Sequence, residues 1–67
     1  MKTLKLSETN LDNVAKTVKR FLLDNQYRIP VVIDITGCES LLLIVIGQLE
    51  NNDFRYVIKD NEITVLE

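Results

Sequence analysis

The sequence predicts an α/β two-layer sandwich of order βαβαββ, two helices packed on one face of a four-stranded mixed sheet. Three observations carry that expectation. Apolar residues recur at helical spacing over 10–24. A β-branched run, Val31-Val32-Ile33-Asp34-Ile35, follows a proline. The last stretch reads as two alternating strands around Asp60-Asn61. A chain of 67 residues makes one small domain, 1–67, and 46% hydrophobic residues supply the material for a core.

Thr3-Leu4-Lys5-Leu6 reads as a short opening strand. In the first helix, Leu11, Val14, Ala15, Val18, Phe21 and Leu22 share one face at 3.6 residues per turn. Thr9-Asn10-Leu11-Asp12 fits a capping pattern in which a hydroxyl satisfies an early amide. Asp12 stands four residues before Lys16, and Lys16, Lys19 and Arg20 cover the opposite, solvated face. Arg28–Ile35 reads as the next strand, with Pro30 at its start and Asp34 facing away from Val31, Ile33 and Ile35. After the turn Thr36-Gly37-Cys38-Glu39-Ser40, the segment Leu41–Asn51 is predicted helical. Leu41, Leu42, Val45, Ile46 and Leu49 would then share an arc of about 140°, leaving Leu43 and Ile44 off it. The alternative is that Leu41–Ile46 is a strand, in which case one helix covers a largely antiparallel sheet. Phe54–Lys59 and Glu62–Leu66 close the chain as a hairpin. Ile58 would oppose Ile63 and Tyr56 would oppose Val65 on the core side, with Phe54 beside them; Lys59 would oppose Glu62, and Val57 would oppose Thr64, on the other.

Composition excludes several chemistries. Without histidine there is no Ser-His-Asp triad, Cys-His pair or His metal site. One cysteine makes neither an internal disulfide nor a thiolate zinc cage, and two glycines do not make a phosphate loop. No cofactor or metal is expected, and no enzymatic activity. A net charge of −2 does not attract a nucleic-acid backbone, so nucleic acid is not an expected partner. The longest apolar run, Leu41–Ile46, is far below the ~20 residues a membrane helix needs, and the N-terminus has no signal-peptide core. The expected setting is cytoplasmic, without membrane attachment.

The strands' carboxyl ends are where ligands favour an open parallel arrangement. That edge holds Cys38 at the start of the second helix, where free amides would favour a thiolate. It also holds Glu8, Asp34 and Glu39, which could approach as paired carboxylates. The larger signal is apolar surface left over. Val32, Val57 and Leu66 point to the sheet face without helices, and Leu43 and Ile44 stand off the packed arc. Together with Asp34, Arg55 and Lys59 as a polar rim, they are the candidate surface for a protein partner or a homodimer, and a regulatory binding module is the expected function.

Two family likenesses accompany this reading. Val31-Val32-Ile33-Asp34-Ile35-Thr36-Gly37, leading into an apolar helix and a further strand, resembles STAS domains, the anti-sigma-factor antagonist family. The likeness covers roughly 10–58, without the family's Asp-Ser-Ser-Gly motif. It implies a binding module switched at a hydroxyl, for which Ser40 is the nearest candidate. The element order is similar to that of TusA sulfur carriers, without their Cys-Pro motif, and implies a sulfur or thiol carrier that would use Cys38.

Overall fold

The computed structural model describes residues 2–7 and 11–66. They form β1 (Lys2–Lys5), α1 (Leu11–Asp24), β2 (Val31–Asp34), a 3-10 turn (Glu39–Leu41), α2 (Leu42–Asn51), β3 (Tyr56–Lys59) and β4 (Glu62–Val65). The four strands make one mixed sheet of order β1-β2-β4-β3. β1 runs parallel to β2, and β4 is antiparallel to both its neighbours. The crossover through α2 therefore leaves a gap between β2 and β3, and β4 fills it by folding back from the hairpin.

Alternation along the strands decides which side of the sheet is dry. Val31, Ile33 and Ile35 of β2 and its extension, with Ile63 and Val65 of β4, are buried on the helix side. Val14, Val18, Phe21 and Leu22 of α1 meet them, as the helical period predicts. Leu41, Val45 and Leu49 complete the core from the second helical segment. The proposed cap Thr9-Asn10 and the side chain of Leu11 lie outside the described residues.

Several boundaries shift for local reasons. The β2 ladder begins at Val31 rather than Arg28, because Pro30 has no N–H to give it. The Ile29–Pro30 peptide bond is cis. Leu41–Asn51 is helical, but its first turn is 3-10, and α2 starts at Leu42. The buried stripe of α2 runs Leu41-Val45-Leu49, at i, i+4 and i+8. Its centre is rotated from the predicted arc, so Ile44 falls on one flank and Ile46 on the other. Ile44 is therefore not off the packed arc as expected: it is half-buried and packs against the core, while Leu43 is 80% exposed.

The helix ends are closed by backbone geometry. At the end of α2, the Asp53 N–H donates to the Glu50 carbonyl (3.2 Å) and the Phe54 N–H to the Leu49 carbonyl (2.9 Å). Asp53 takes φ 60°, and the pair of bonds is a Schellman motif with Asp where glycine is most common. Phe54 then packs against the core, as the hydrophobic contact of that motif requires. At the end of α1, the buried Asn25 donates its side-chain Nδ2 to the Phe21 carbonyl (2.8 Å).

The hairpin register is the predicted one: Tyr56↔Val65, Val57↔Thr64, Ile58↔Ile63 and Lys59↔Glu62. Of the two loop residues, Asp60 alone takes a positive φ, 55°, the pattern of a II′ turn rather than I′. Ile58 departs from expectation. It lies on the helix side of the sheet yet is 41% exposed, because β3 is an outer strand with a neighbour on one side only.

Gly47 sits inside α2, and a Cβ there would meet nothing within 4 Å. Gly47→Ala is therefore expected to stabilise the fold by about 0.5–1 kcal/mol, the interior helix preference for alanine. Urea denaturation checks it; a loss of stability would mean that the outer face of α2 is more crowded than this geometry.

Candidate functional site

The uncovered face of the sheet is built in cross-strand rows. One row is Thr3–Val32–Thr64–Val57, and the next is Lys5–Asp34–Glu62–Lys59. Beyond the first, the Leu66 N–H donates to the Arg55 carbonyl (2.8 Å), extending the ladder by one pair. Alternation thus brings Val32, Asp34, Arg55, Val57, Lys59 and Leu66 onto one surface. Val57 is 53% exposed and Leu66 42%, while Val32, Thr64 and Asp34 are half-buried by their neighbours.

The second-helix residues do not join them. Leu43 lies about 160° round α2 from the centre of its buried stripe, at 100° per residue. It therefore faces outward from the helix layer, on the side of the molecule opposite the uncovered sheet face. Ile44 is occupied with the core. The single docking surface expected from sequence divides into a sheet face and an isolated leucine.

Asp34 is held by its own strand end. Its Oδ1 accepts from the Thr36 hydroxyl (2.6 Å) and the Thr36 N–H (2.9 Å). Its Oδ2 lies 3.7 Å from Lys5 Nζ. The Thr36 hydroxyl bond, then the amide bond, keep the Asp34 carboxyl below the usual range, against a smaller upward push from desolvation; Lys5 adds to the lowering. Thr36→Val removes the larger donor. It is expected to raise the Asp34 pKa toward the ordinary carboxylate value, read by NMR titration of the side-chain carboxyl. An unmoved titration would assign the lowering to Lys5 and the amide.

The sheet sets Glu62, not Glu39, directly opposite Asp34. Glu39 Oε1 instead accepts from Asn61 Nδ2 (3.3 Å), and Glu8 lies outside the described residues. Cys38 is the residue before the 3-10 turn; its N–H donates to the Ile35 carbonyl (2.7 Å), and its side chain is half-buried against the core. The first α-helical residue, Leu42, follows four positions later, so the thiol is not at the N-terminus of α2 as the sequence suggested. Ser40 is exposed within the same turn. Among the described residues no group of three or more His, Cys, Asp or Glu is placed to hold a metal ion. No described helix is long and apolar enough to cross a membrane.

Two exposed residues escaped the sequence reading. Leu23 and Tyr27 are both exposed at the end of α1. The available signal was Leu23 itself, an apolar residue outside the helix's buried stripe. No family model matches the chain, and no curated protein or solved structure matches it either.

Proposed function

We propose that the chain is a small, non-enzymatic regulatory module of the cytoplasm that docks on a protein partner, or on a second copy, through the uncovered face of its sheet. The observation that supports this reading is the clustering of Val32, Val57 and Leu66 on that one face. Single exposed apolar residues are ordinary on any surface. Here Val32 and Val57 flank Thr64 across three hydrogen-bonded strands, and Leu66 stands two residues after Thr64, just past the end of β4. A sheet with one wet face normally alternates apolar-in and polar-out; this face keeps that pattern at Thr3, Lys5, Asp34, Glu62 and Thr64 and departs from it at Val32, Val57 and Leu66. Arg55, Lys59 and the Lys5–Asp34 pair rim the patch. One free, half-buried cysteine suits a reducing compartment.

Val57→Asp tests the reading. More than half of the Val57 surface is already in water, so the variant is expected to keep its circular dichroism and melt within a few degrees of wild type. Its association, followed by sedimentation and by partner binding, is expected to be lost. Unfolding of the variant, or association equal to wild type, would remove the sheet face from the function.

A further inference from the structure

We infer that the open edge of β3 receives an extended acidic segment of a partner protein, which adds to the sheet as a fifth strand. The inference rests on the interaction-module reading and names its ligand. β3 borders β4 alone. The bond from the Leu66 N–H to the Arg55 carbonyl fixes the phase of the antiparallel ladder. Residues 55, 57 and 59 bond inward, and the N–H and C=O groups of Tyr56 and Ile58 point away from the sheet. Such a row of unpaired backbone groups is the template used in strand addition.

The two sheet edges differ in what surrounds that template. On β1, Lys2, Thr3 and Lys5 are exposed and Leu4 is half-buried. On β3, Val57 and Ile58 are both large, apolar and exposed, one on each face of the strand. An added strand would cover both.

Charge chooses the occupant. Arg55 and Lys59 flank Val57 on the same face, two residues away on either side. Among the described residues the ion pair within 4.0 Å is Lys5–Asp34; Lys59 faces Glu62 across the ladder without closing to that distance, so neither Arg55 nor Lys59 forms an ion pair with a described carboxylate. In an added antiparallel strand, the residues facing Arg55, Val57 and Lys59 occupy non-hydrogen-bonded positions, where side chains approach most closely. The complement is an acid, an apolar residue and an acid at i, i+2 and i+4. A second copy of β3 does not supply it. A two-fold pairing centred on Val57 sets Arg55 opposite Lys59 of the other copy twice. Centring on Ile58 runs into the Asp60-Asn61 turn after one further pair.

The test uses the full chain, ¹⁵N-labelled, and two blocked synthetic peptides. One contains Thr-Glu-Thr-Val-Thr-Glu-Thr, and the other has lysine in place of both glutamates. The acidic peptide is expected to slow amide exchange at Tyr56 and Ile58 and to bind at least about tenfold more tightly than the basic one, with affinity falling as salt rises. The double variant Arg55→Glu/Lys59→Glu is expected to reverse the preference. Ile58→Pro, whose lost N–H lies outside the β4 ladder, is expected to keep the fold and abolish binding. Equal binding of both peptides, binding of neither, or shifts at Val32, Thr64 and Leu66 without protection of Tyr56 and Ile58 would each overturn the edge assignment. So would protection of those two amides on self-association alone, which would make a second copy the occupant. Loss of association in Val57→Asp alongside any of these results would leave the module reading standing without the edge.

Discussion

Ile33→Ala is expected to cost about 3–4 kcal/mol, and Ile58→Ala less than about 1 kcal/mol, although the two residues are of one type and lie in one cross-strand row. The row is Leu4–Ile33–Ile63–Ile58, all on the helix side of the sheet. Ile33 has a strand on either side, helices above it and no exposed surface. Truncation there removes three carbons from contact and leaves a cavity that short, paired strands cannot collapse to fill. Ile58 already has 41% of its surface in water, so alanine forfeits little transfer energy and leaves no enclosed void. A core of this size leaves a net stability of only about 3–5 kcal/mol. Ile33→Ala is therefore expected to sit near its unfolding midpoint in buffer, while Ile58→Ala remains folded. Urea titrations followed by circular dichroism measure both. Equal costs would contradict the strand order β1-β2-β4-β3.

That pair of isoleucines also marks how far the sequence could be read. Period-two alternation places Ile33, Ile58 and Ile63 on one side of the sheet. It does not say which strand is inner, because strand order arises from the return of β4 between β2 and β3, a non-local event. Hairpin register was legible because it depends on a two-residue loop and adjacent alternating strands. The stripe of α1 was legible because its polar and apolar residues separate cleanly. α2 was harder. Six consecutive apolar residues, Leu41–Ile46, satisfy any phase, so only tertiary contact decides that Ile44 faces inward enough to pack and Leu43 does not.

The candidate surface was legible to the same degree. Alternation assigned Val32, Asp34, Val57 and Lys59 to the uncovered face, and Arg55 and Leu66 follow by the same parity. Joining them to Leu43 required both surfaces to lie on one side, and a two-layer sandwich puts them on opposite sides. The partner of Asp34 was hidden for a similar reason. Glu62 is 28 residues away in sequence and becomes its neighbour only when β4 inserts. The Thr36 bonds were readable in principle, since an aspartate at a strand end commonly accepts from the backbone two residues on.

Asn25→Asp is expected to destabilise the fold by about 3 kcal/mol near neutral pH, far more than its near-identical shape suggests. Asn25 is 3% exposed, and its Nδ2 donates to the Phe21 carbonyl at 2.8 Å. The Asn25 N–H donates to the same carbonyl (3.1 Å). Asparagine therefore closes α1 twice, with a side chain that can be buried because its donor has an acceptor. Aspartate places an ionised oxygen where the Nδ2 donor stood. A buried carboxylate then faces a carbonyl oxygen with no proton between them. Both burial and that contact favour the protonated acid, so the folded-state pKa of the new carboxyl rises above the unfolded value of about 3.9. The penalty is then small below about pH 4, where the acid is neutral in both states and its hydroxyl can donate to Phe21. It grows as the pH rises through the folded-state pKa. Asn25→Ala lacks this dependence and is expected to cost about 1–2 kcal/mol at any pH, the loss of one buried bond and its packing. The wild-type chain runs the other way at acid pH, since the lowered pKa of Asp34 contributes stability that disappears as that carboxyl is protonated. Denaturation of the three proteins at pH 3 and pH 7 separates these effects. A cost for Asn25→Asp that matched Asn25→Ala at both values would mean that the side chain reaches water rather than the end of α1.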